Sequence, residues 1–434
     1  MATVRRGVWS NWAGNQSIRP EGFDRPTNED QLASLVSSAR RVRAVGTGHS
    51  FTGAALTDGR LVSMDDLRRL VAVDREAGTV TVEAGITIAD LNELLQALGL
   101  ALTNLGDIAY QTISGAISTS THGTGARFTG LAGQVRALRL VDGTGGIHHI
   151  VDPDQVRLAT VGVGALGIVT RYTLAVVPAF RLRAEEGAGR LDDLLDELDR
   201  HVDENDHFEF FWLPHTPWAL TKRNRRTDDE PDQPSARDRA RLWWSKTFIE
   251  NIGFGILCEL GNRRPSLIPR LATALPSSGT SVRTSDSHRI FASARLVRFL
   301  EMEWAIPRSE CATALRRLRS MIHDEGHLVS FPVEVRFTAA DDVALSTASG
   351  RDTAYVAVHM HKRMPSSDTE RYFGSVERIM RDLGGRPHWG KMHNMGADDL
   401  APLYPRWNEF LELRERMDPR RAFANDYTDR VFGR

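Results

Sequence analysis

Apolar and polar positions along the first 178 residues alternate in short blocks. Runs rich in Val, Leu and Ile predict strands at residues 43–45, 79–83, 134–141 and 168–177. Apolar positions spaced three or four apart predict helices at residues 32–41 and 88–97. Loops rich in glycine separate these elements. The pattern therefore predicts an α+β domain over residues 1–178.

A second unit is predicted over residues 179–400. Its predicted strands are residues 208–213, 300–306, 328–337 and 354–361. Its predicted helices are residues 191–202, 313–322 and 369–383. The charged, proline-containing stretch at residues 222–241 predicts a mobile surface loop, because its basic residues are interleaved with acidic ones. The pattern indicates an antiparallel sheet with helices on one side.

The composition is that of a globular protein and narrows the classes of partner. The chain has 434 residues, enough for about two to three domains, and 26% of them are charged. A formal charge of −1 argues against a nucleic acid partner. Two distant cysteines predict neither a disulfide framework nor a zinc knuckle, and they suit the cytoplasm. We expect no signal peptide and no transmembrane segment. Phosphate-loop, zinc-protease and serine-hydrolase motifs are missing from the sequence.

The glycine-rich turn in RAVGTGHSF, residues 43–51, predicts a seat for a dinucleotide. Glycines let backbone N–H groups approach a pyrophosphate closely, and consecutive N–H groups bind anions. Phe51 occupies the place of the third glycine of a Rossmann fingerprint, so nicotinamide-type binding is not indicated. An ordinary turn between strands is the alternative. The predicted cofactor-binding residues here are Arg43, Val45, Gly46, Thr47, Gly48, His49, Ser50 and Phe51.

A second cluster of small polar residues occupies residues 111–125, QTISGAISTSTHGTG. Seven Ser or Thr and three Gly in this segment suit a chain that passes phosphates and a flat polar ring. A flexible linker is the alternative, and the interspersed apolar residues argue against it. We therefore interpret the segment as the second wall of the cofactor site.

Two predicted strands carry polar side chains on one face. Residues two apart on a strand point the same way, so Glu334 and Arg336 share a face, as do His359 and His361. These four groups form a candidate site floor. A surface ion pair is the alternative for the first two, and an H-x-H metal site is the alternative for the histidines. No third ligand is identifiable in the sequence, so we predict no metal.

Lys391 follows a turn with a large aromatic neighbour, in PHWGK at residues 387–391. Placed beside Arg336, its ammonium group is expected to have a lowered pKa, through like charge and desolvation. It is then able to bind a substrate hydroxyl or to help deprotonate it. An exposed loop lysine is the alternative.

Several motifs in a fixed order carry a resemblance that spans nearly the whole chain. They are the two loops above, WSNW at residues 9–12, EVR at 334–336, HWGK at 388–391 and NDY at 425–427. Together they resemble the flavin-dependent sugar-lactone and alditol oxidoreductases of the vanillyl-alcohol-oxidase type. Within that group the chain is most similar to the L-gulono-1,4-lactone dehydrogenases and D-arabinono-1,4-lactone oxidases.

The resemblance implies a two-domain fold and a set of site residues. It implies an FAD-binding domain of the PCMH type over residues 1–178, a cap domain over 179–400, and a segment at 401–434 that returns to the FAD domain. His49 matches the histidine bonded to the 8α-methyl group of FAD. The remaining residues implied to line FAD are Ser114, Gly115, Ser120, Thr121, His122, Gly123 and Ile168. Those implied to be catalytic are Glu334, Arg336 and Lys391. Those implied to contact substrate are Thr112, His359, His361 and His388.

The implied reaction is hydride transfer from a carbinol of a sugar-1,4-lactone to FAD N5, with O₂, a redox protein or a quinone as electron acceptor. Thr112 and His361 differ from the serine and threonine of alditol oxidases, which favours a lactone. An oxidase of alditols, other polyols or nucleosides on the same scaffold is the alternative. A binding protein with a degenerate flavin domain is a further one. The implied location is cytoplasmic, with peripheral membrane attachment left open.

Overall fold

The computed structural model describes residues 2–232, 259, 261, 263–273, 280–292 and 297–434. Its strands are β1 (Thr3–Arg5), β2 (Val8–Ser10), β3 (Ser17–Ile18), β4 (Gly22–Asp24), β5 (Val42–Val45), β6 (Arg60–Ser63), β7 (Leu70–Asp74), β8 (Thr79–Glu83), β9 (Leu100–Ala101), β10 (Val135–Val141), β11 (Ile147–Ile150), β12 (Ile168–Ala175), β13 (Val177–Pro178), β14 (Arg181–Arg190), β15 (His207–Trp212), β16 (Trp218–Thr227), β17 (Thr280–Asp286), β18 (Phe299–Pro307), β19 (Val333–Thr338), β20 (Thr353–His361) and β21 (Arg386–Pro387). Its α-helices are α1 (Glu29–Ser38), α2 (Ile88–Ala97), α3 (Ile113–Ser118), α4 (Pro153–Ala159), α5 (Leu191–Asp196), α6 (Leu198–Asp203), α7 (Ile268–Thr273), α8 (Ser287–Phe291), α9 (Cys311–Asp324), α10 (Ser366–Asp382), α11 (Ala397–Leu400), α12 (Trp407–Met417) and α13 (Asp426–Phe432).

The first part of the chain is built around two larger sheets. Strands β4, β6 and β5 form a parallel sheet, and β11, β10, β12, β8 and β7 form an antiparallel one in that order. Along β12, buried and half-buried residues alternate, as expected for a strand with one face on the core. Helix α2 is capped at its N-terminus by Thr87, whose side chain accepts a hydrogen bond from the backbone N–H of Asp90. The predicted bounds of β8 and α2 are confirmed.

The second part is dominated by one antiparallel sheet, with the described strands in the order β17, β14, β16, β15, β19, β20, β18 and β21. Every residue of β19 and of β20 is buried. Helix α10 packs against β18 and against α9 on one face of the sheet. The other face forms the floor of a cleft. The predicted antiparallel sheet with covering helices is confirmed.

Several predicted elements differ from the structure. The predicted strand at residues 328–337 begins only at Val333, and the predicted helix at residues 32–41 ends at Ser38. Two further elements differ more. Residues 222–227 of the predicted surface loop belong to β16, which pairs with both β14 and β15. A strand accommodates these charges because alternate side chains face solvent or pair with neighbours, as Lys222 does with Glu209. The rest of that predicted loop, from residue 233, lies outside the described residues. The predicted helix at 191–202 is two helices, because the backbone of Glu197 leaves the helical region at φ −111°.

The end of the chain contacts the strand that leads into the glycine-rich turn. The Val42 N–H donates to the carbonyl of Ala422 at 2.8 Å. The side-chain amide of Asn425 donates to three backbone carbonyls between residues 53 and 56. These contacts support the predicted return of residues 401–434, and the domain boundaries themselves stay predictions. Of the helices in the described part of the chain, none has both the length and the apolar character needed to cross a bilayer.

Candidate active site

One cleft brings together most of the predicted site residues. Its empty volume is about 1580 Å³, which includes the open mouth. The predicted residues that line it are Arg43, Val45, Gly46, Thr47, Gly48, His49, Ser50, Thr112, Ser114, Gly115, Thr121, His122, Ile168, Glu334, Arg336, His359, His388 and Lys391. The cleft therefore joins the two polar loops to the face of the large sheet.

Four predicted site residues are not among the residues that line the cleft. Phe51 packs on Phe299, with ring centroids 5.9 Å apart. The Ser120 hydroxyl accepts a hydrogen bond from the backbone N–H of Thr347 at 3.1 Å. The ring of His361 stacks on an aromatic side chain behind the cleft wall. Gly123 lies against the chain of residues 104–105, where a Cβ would meet a carbonyl oxygen at 2.2 Å. These positions suit packing of the walls, and their predicted ligand contacts stay predictions.

The turn at residues 46–49 is held from outside by the N-terminal segment. Gly48 has φ +76°, a conformation that glycine adopts without strain. The Trp12 N–H donates to the Gly48 carbonyl at 2.8 Å, and the Ala2 N–H donates to the Thr47 carbonyl at 2.8 Å. The indole of Trp12 stacks on the His49 ring at 5.7 Å. The WSNW motif therefore stabilises the conformation of this turn.

His49 is a half-buried, neutral imidazole. Its Nε2 atom is buried and has no hydrogen-bond partner among the described residues. Burial, the largest cause, together with the positive charge of Lys391 lowers the pKa of His49 to about 4. At neutral pH the ring therefore carries an unprotonated nitrogen, while the other ring nitrogen carries a hydrogen. A buried polar atom without a partner is unfavourable, so this position suits contact with a ligand.

Arg43 anchors the cleft wall through backbone carbonyls. Its guanidinium donates to the carbonyls of Val163, Gly164 and Phe423, each at 2.8 Å, and to that of Ala54. Burial, followed by another arginine, lowers its pKa to about 10. The group therefore joins three remote segments of the chain at the start of the glycine-rich turn.

Arg336 lies on the cleft face of β19 and is surrounded by carboxylates. Its guanidinium contacts Glu334 at 2.5 Å, Glu209 at 2.8 Å and Asp107 at 3.4 Å. Burial opposes the charge of Arg336, but these carboxylates outweigh it and hold the pKa well above its ordinary value. The pair with Glu334 is buried and lines the cleft, so it is not a surface ion pair.

The expected lowering of the Lys391 pKa is wrong. The Lys391 ammonium lies 2.5 Å from a carboxylate oxygen of Glu301, a residue of strand β18. Burial opposes its charge, but Glu301 and then Glu303 outweigh it, so the pKa of Lys391 is raised. Burial likewise opposes ionisation of Glu301, and Lys391 outweighs it, so the Glu301 pKa is lowered to about 2. Lys391 is therefore a largely buried cation and not a base.

Sequence reasoning missed the carboxylates that hold these cations. Glu301 and Glu303 line the cleft from β18, and Asp107 lines it from the loop before α3. Glu209 lies on β15, opposite Lys222 on the neighbouring strand β16. The two carboxylates in FLEMEWAIP, at alternate positions of an apolar strand, carry the same period-two signal as Glu334 and Arg336. That signal was available in the predicted strand at residues 300–306.

Comparison with known proteins agrees with this arrangement. The family model for D-arabinono-1,4-lactone oxidase matches residues 172–431, more than half of the chain. The chain belongs to this family. A model for an FAD-binding domain matches residues 20–150. The protein is therefore an FAD-dependent oxidoreductase, as the motifs indicated.

Individual relatives and structures are similar over nearly the whole chain. L-gulono-1,4-lactone dehydrogenase of Mycobacterium tuberculosis is 43% identical, with 98% of this chain and 99% of that protein covered. L-gulonolactone oxidase of Mus musculus is 34% identical, with the same coverage. Cholesterol oxidase of Brevibacterium sterolicum superimposes with a TM-score of 0.82 at 16% identity, covering 99% of this chain and 97% of that one. The last comparison confirms the predicted fold class.

Proposed function

We propose that this protein oxidises a carbinol of a sugar-1,4-lactone, such as L-gulono-1,4-lactone, by hydride transfer to FAD. The observation that carries the proposal is that one cleft joins the His49 turn to Glu334, Arg336 and Lys391. Relatives named for the oxidation of L-gulono-1,4-lactone and D-arabinono-1,4-lactone support this substrate class. When FAD is bound, its isoalloxazine ring supplies the hydride acceptor at N5.

The His49 environment fits a covalent link to the flavin. Its buried Nε2 lacks a partner among the described residues, and the low pKa keeps the ring neutral and nucleophilic. Gly46 and Gly48 bring the backbone of the turn to the cleft without side chains in the way. A Cβ at Gly46 would meet the Thr112 hydroxyl at 2.4 Å, so the two walls of the cradle meet closely here. We therefore assign the 8α attachment of FAD to His49.

The proton of the substrate hydroxyl requires an acceptor other than Lys391. Nδ1 of His359 lies 3.1 Å from the carbonyl of Pro332, which only accepts hydrogen bonds, so Nδ1 carries the hydrogen. In the neutral ring Nε2 then has a lone pair, and its 3.5 Å distance from the Glu301 carboxylate is longer than a good hydrogen bond, so no proton is required between the two atoms. We assign proton acceptance to His359 Nε2, with Glu301 stabilising the imidazolium that forms.

The cations orient the substrate and stabilise charge in this mechanism. The ammonium group of Lys391 donates to the substrate oxygen, and Arg336 provides a fixed positive charge for the negative charge that develops in the cleft. As the carbinol C–H bond breaks, its electron pair leaves as hydride, the O–H proton passes to His359, and a carbonyl forms. Glu334 accepts a hydrogen bond from a neighbouring hydroxyl. Thr112 and His388 line the same cleft and complete the substrate contacts.

The test is anaerobic mixing of the purified yellow protein with L-gulono-1,4-lactone, with xylitol and with a nucleoside. We expect the lactone to bleach the flavin fastest. Faster bleaching by xylitol or by the nucleoside would contradict the lactone assignment.

Adding air or cytochrome c to the reduced protein then identifies the electron acceptor, which we propose to be O₂ or a redox protein or quinone. We also propose a cytoplasmic location, with peripheral attachment to the membrane if the acceptor is a quinone.

A further inference from the structure

A buried pair of side chains spans the cleft between the flavin-binding segment and the large sheet. Nε2 of His122 lies 3.1 Å from Oε1 of Glu303. His122 is 3% exposed and Glu303 is 6% exposed, so the pair is shielded from solvent. His122 follows α3, whereas Glu303 lies on the cleft face of β18. Neither residue has a part in the mechanism above.

The hydrogen-bond partners of His122 fix where its protons lie. Nδ1 is 2.9 Å from the carbonyl of Gly123, which only accepts, so Nδ1 carries a hydrogen. A neutral ring would then present a lone pair at Nε2 to a carboxylate oxygen, and two acceptors at 3.1 Å repel each other. The contact is favourable only when a proton lies between Nε2 and Oε1. A neutral imidazole and an ionised carboxylate hold one proton between them. The geometry therefore requires the pair to hold two.

We propose that His122 is a protonated imidazolium that neutralises Glu303 inside the cleft, and so acts as a positioning residue that sets the charge felt by the flavin. The ring of Tyr355 stacks on His122 with centroids 3.3 Å apart, and an aromatic face favours a cation. Burial opposes ionisation of Glu303, but His122 outweighs it and lowers the Glu303 pKa, so the proton belongs on the imidazole.

The second histidine beside Glu303 has the opposite protonation. Nδ1 of His388 accepts a hydrogen bond from the backbone N–H of Gly390 at 3.0 Å, so the single hydrogen of its neutral ring lies on Nε2. Burial, followed by Lys391 and His122 against the opposing Glu303, lowers the His388 pKa to about 3. Glu303 therefore has one charged and one neutral imidazole as neighbours.

The same three side chains have the composition of a metal site. The ligand atoms of His122, Glu303 and His388 all lie within 4.8 Å of one another. A metal ligand, however, needs a free lone pair on nitrogen. One nitrogen of His388 accepts the hydrogen bond from Gly390 and the other carries the hydrogen. The arrangement therefore favours a proton over a metal ion.

Burial opposes the ionisation of Glu303, and among the cations that outweigh it Lys391 contributes less than His122 does. Glu301, on the same strand, pairs with Lys391 at 2.5 Å. Tyr355 faces the pair from β20 and His388 faces it from the turn before Lys391. Without the proton on His122, Glu303 would add a negative charge to the cleft and would compete with Glu301 for Lys391. A more negative cleft disfavours the electron-rich reduced flavin.

The first test is ¹⁵N NMR of the histidine-labelled holoprotein between pH 6 and pH 9. We expect both ring nitrogens of His122 to be protonated, with His388 singly protonated as an internal reference. The signal is assigned by its loss in His122→Gln. In Glu303→Gln the introduced amide donates to Nε2, so His122 should become singly protonated while the fold is kept. A lone pair at Nε2 of His122 in the unmodified protein would overturn the proposal.

The second test measures the midpoint potential of the bound flavin, which does not require any substrate. His122→Gln leaves the Glu303 charge uncompensated and should shift the potential to a more negative value. Glu303→Gln keeps the pair neutral and should leave the potential near that of the unmodified protein. The double variant should return to the Glu303→Gln value. An equally low potential in His122→Gln and in the double variant would overturn the electrostatic role and leave a structural one.

The metal content of the purified holoprotein completes the test. We expect no stoichiometric divalent metal that depends on these three residues. A metal present at one equivalent and lost in both His122→Gln and Glu303→Gln would overturn the proposal. These measurements stay informative if the protein proves inactive on lactones, because they require only bound FAD.

Discussion

The two sides of the cleft differ in how they use charge. The wall around residues 46–50 is built from glycines and backbone groups, with a neutral His49 and with Arg43 turned to carbonyls. The floor on the large sheet carries cations, each held by a carboxylate, as Arg336 is by Glu209 and Lys391 is by Glu301. The wall suits recognition of a cofactor by shape, and the floor suits stabilisation of charge.

The difference follows from the cost of burying charge. An isolated buried ion is unfavourable by several kcal/mol, so a cation reaches the bottom of a cleft only with a partner. The partner then raises the pKa of the cation, as it does for Lys391, and removes it as a proton acceptor. Cations of the floor therefore act through fixed charge, which is why we propose His359, and not Lys391, as the proton acceptor.

The largest expected effect comes from removing the central cation of the floor. In Arg336→Ala, three carboxylates that now contact the guanidinium would face one another. We expect the rate of flavin reduction by the lactone to fall by roughly 10²–10³-fold. The free energy of unfolding should fall by about 3–5 kcal/mol. Stopped-flow reduction and denaturant unfolding measure the two effects.

Arg336→Lys is the matched control for that change. It keeps the positive charge but loses the planar fork that contacts several carboxylates at once. We expect it to recover most of the stability and only part of the rate. If Arg336→Ala reduced its flavin at nearly the unmodified rate, the floor would not be the site of chemistry.

The next largest effect is expected for Lys391. Lys391→Ala removes the donor to the substrate oxygen and leaves Glu301 with an uncompensated charge. We expect flavin reduction to slow by about 10²-fold while FAD stays bound. Lys391→Arg retains the charge and should be less impaired. Because the Lys391 pKa is raised, Lys391→Arg, whose guanidinium cannot act as a base, should keep the pH profile of the unmodified protein between pH 6 and pH 8, which separates the role of a fixed cation from that of a titrating base.

Local signals in the sequence were enough to predict the wall. The glycines and small polar residues of both loops are contiguous in the chain, and α2 and its Thr87 cap lie within one short segment. The floor was predicted only in part, because its pairs form by strand register between distant residues. Glu301 and Lys391 are 90 positions apart, and β14, β16 and β17 carry charges that resemble a loop pattern until their pairing is known. Such pairing is not encoded in local periodicity.

Changing His49 on the wall is expected to have a smaller effect on turnover than the changes to the floor. It should, however, give an all-or-none spectroscopic signal. His49→Ala should lose the yellow colour that persists in acid-denatured protein, while FAD still binds non-covalently in the folded state. We expect flavin reduction to slow by about tenfold, because the 8α link that we propose would raise the electron affinity of the ring. Trp12→Phe keeps an aromatic ring over His49 and should retain the acid-stable colour. Colour that survives denaturation in His49→Ala would move the link to another residue.

The smallest expected effect is on the pH dependence of stability. The pKa of Glu301 and that of Glu209 are each lowered to about 2, because their cations outweigh the opposing effect of burial. A carboxyl group with a pKa lower in the folded than in the unfolded protein stabilises the fold above its unfolded pKa of 4.5. This stabilisation is lost as the pH falls through the folded value. The free energy of unfolding should therefore decrease between pH 4.5 and about 2.

Glu209→Gln isolates one group in that acid window. The variant should be less stable at neutral pH, and its stability should fall less steeply between pH 4.5 and about 2, by up to about 1.4 kcal/mol per pH unit. Trp12→Phe on the wall, which removes no titrating group, should leave the slope unchanged. If Glu209→Gln kept the full slope, the floor would not be the source of acid sensitivity, and the contrast between a wall of backbone groups and a floor of paired charges would fail on this point.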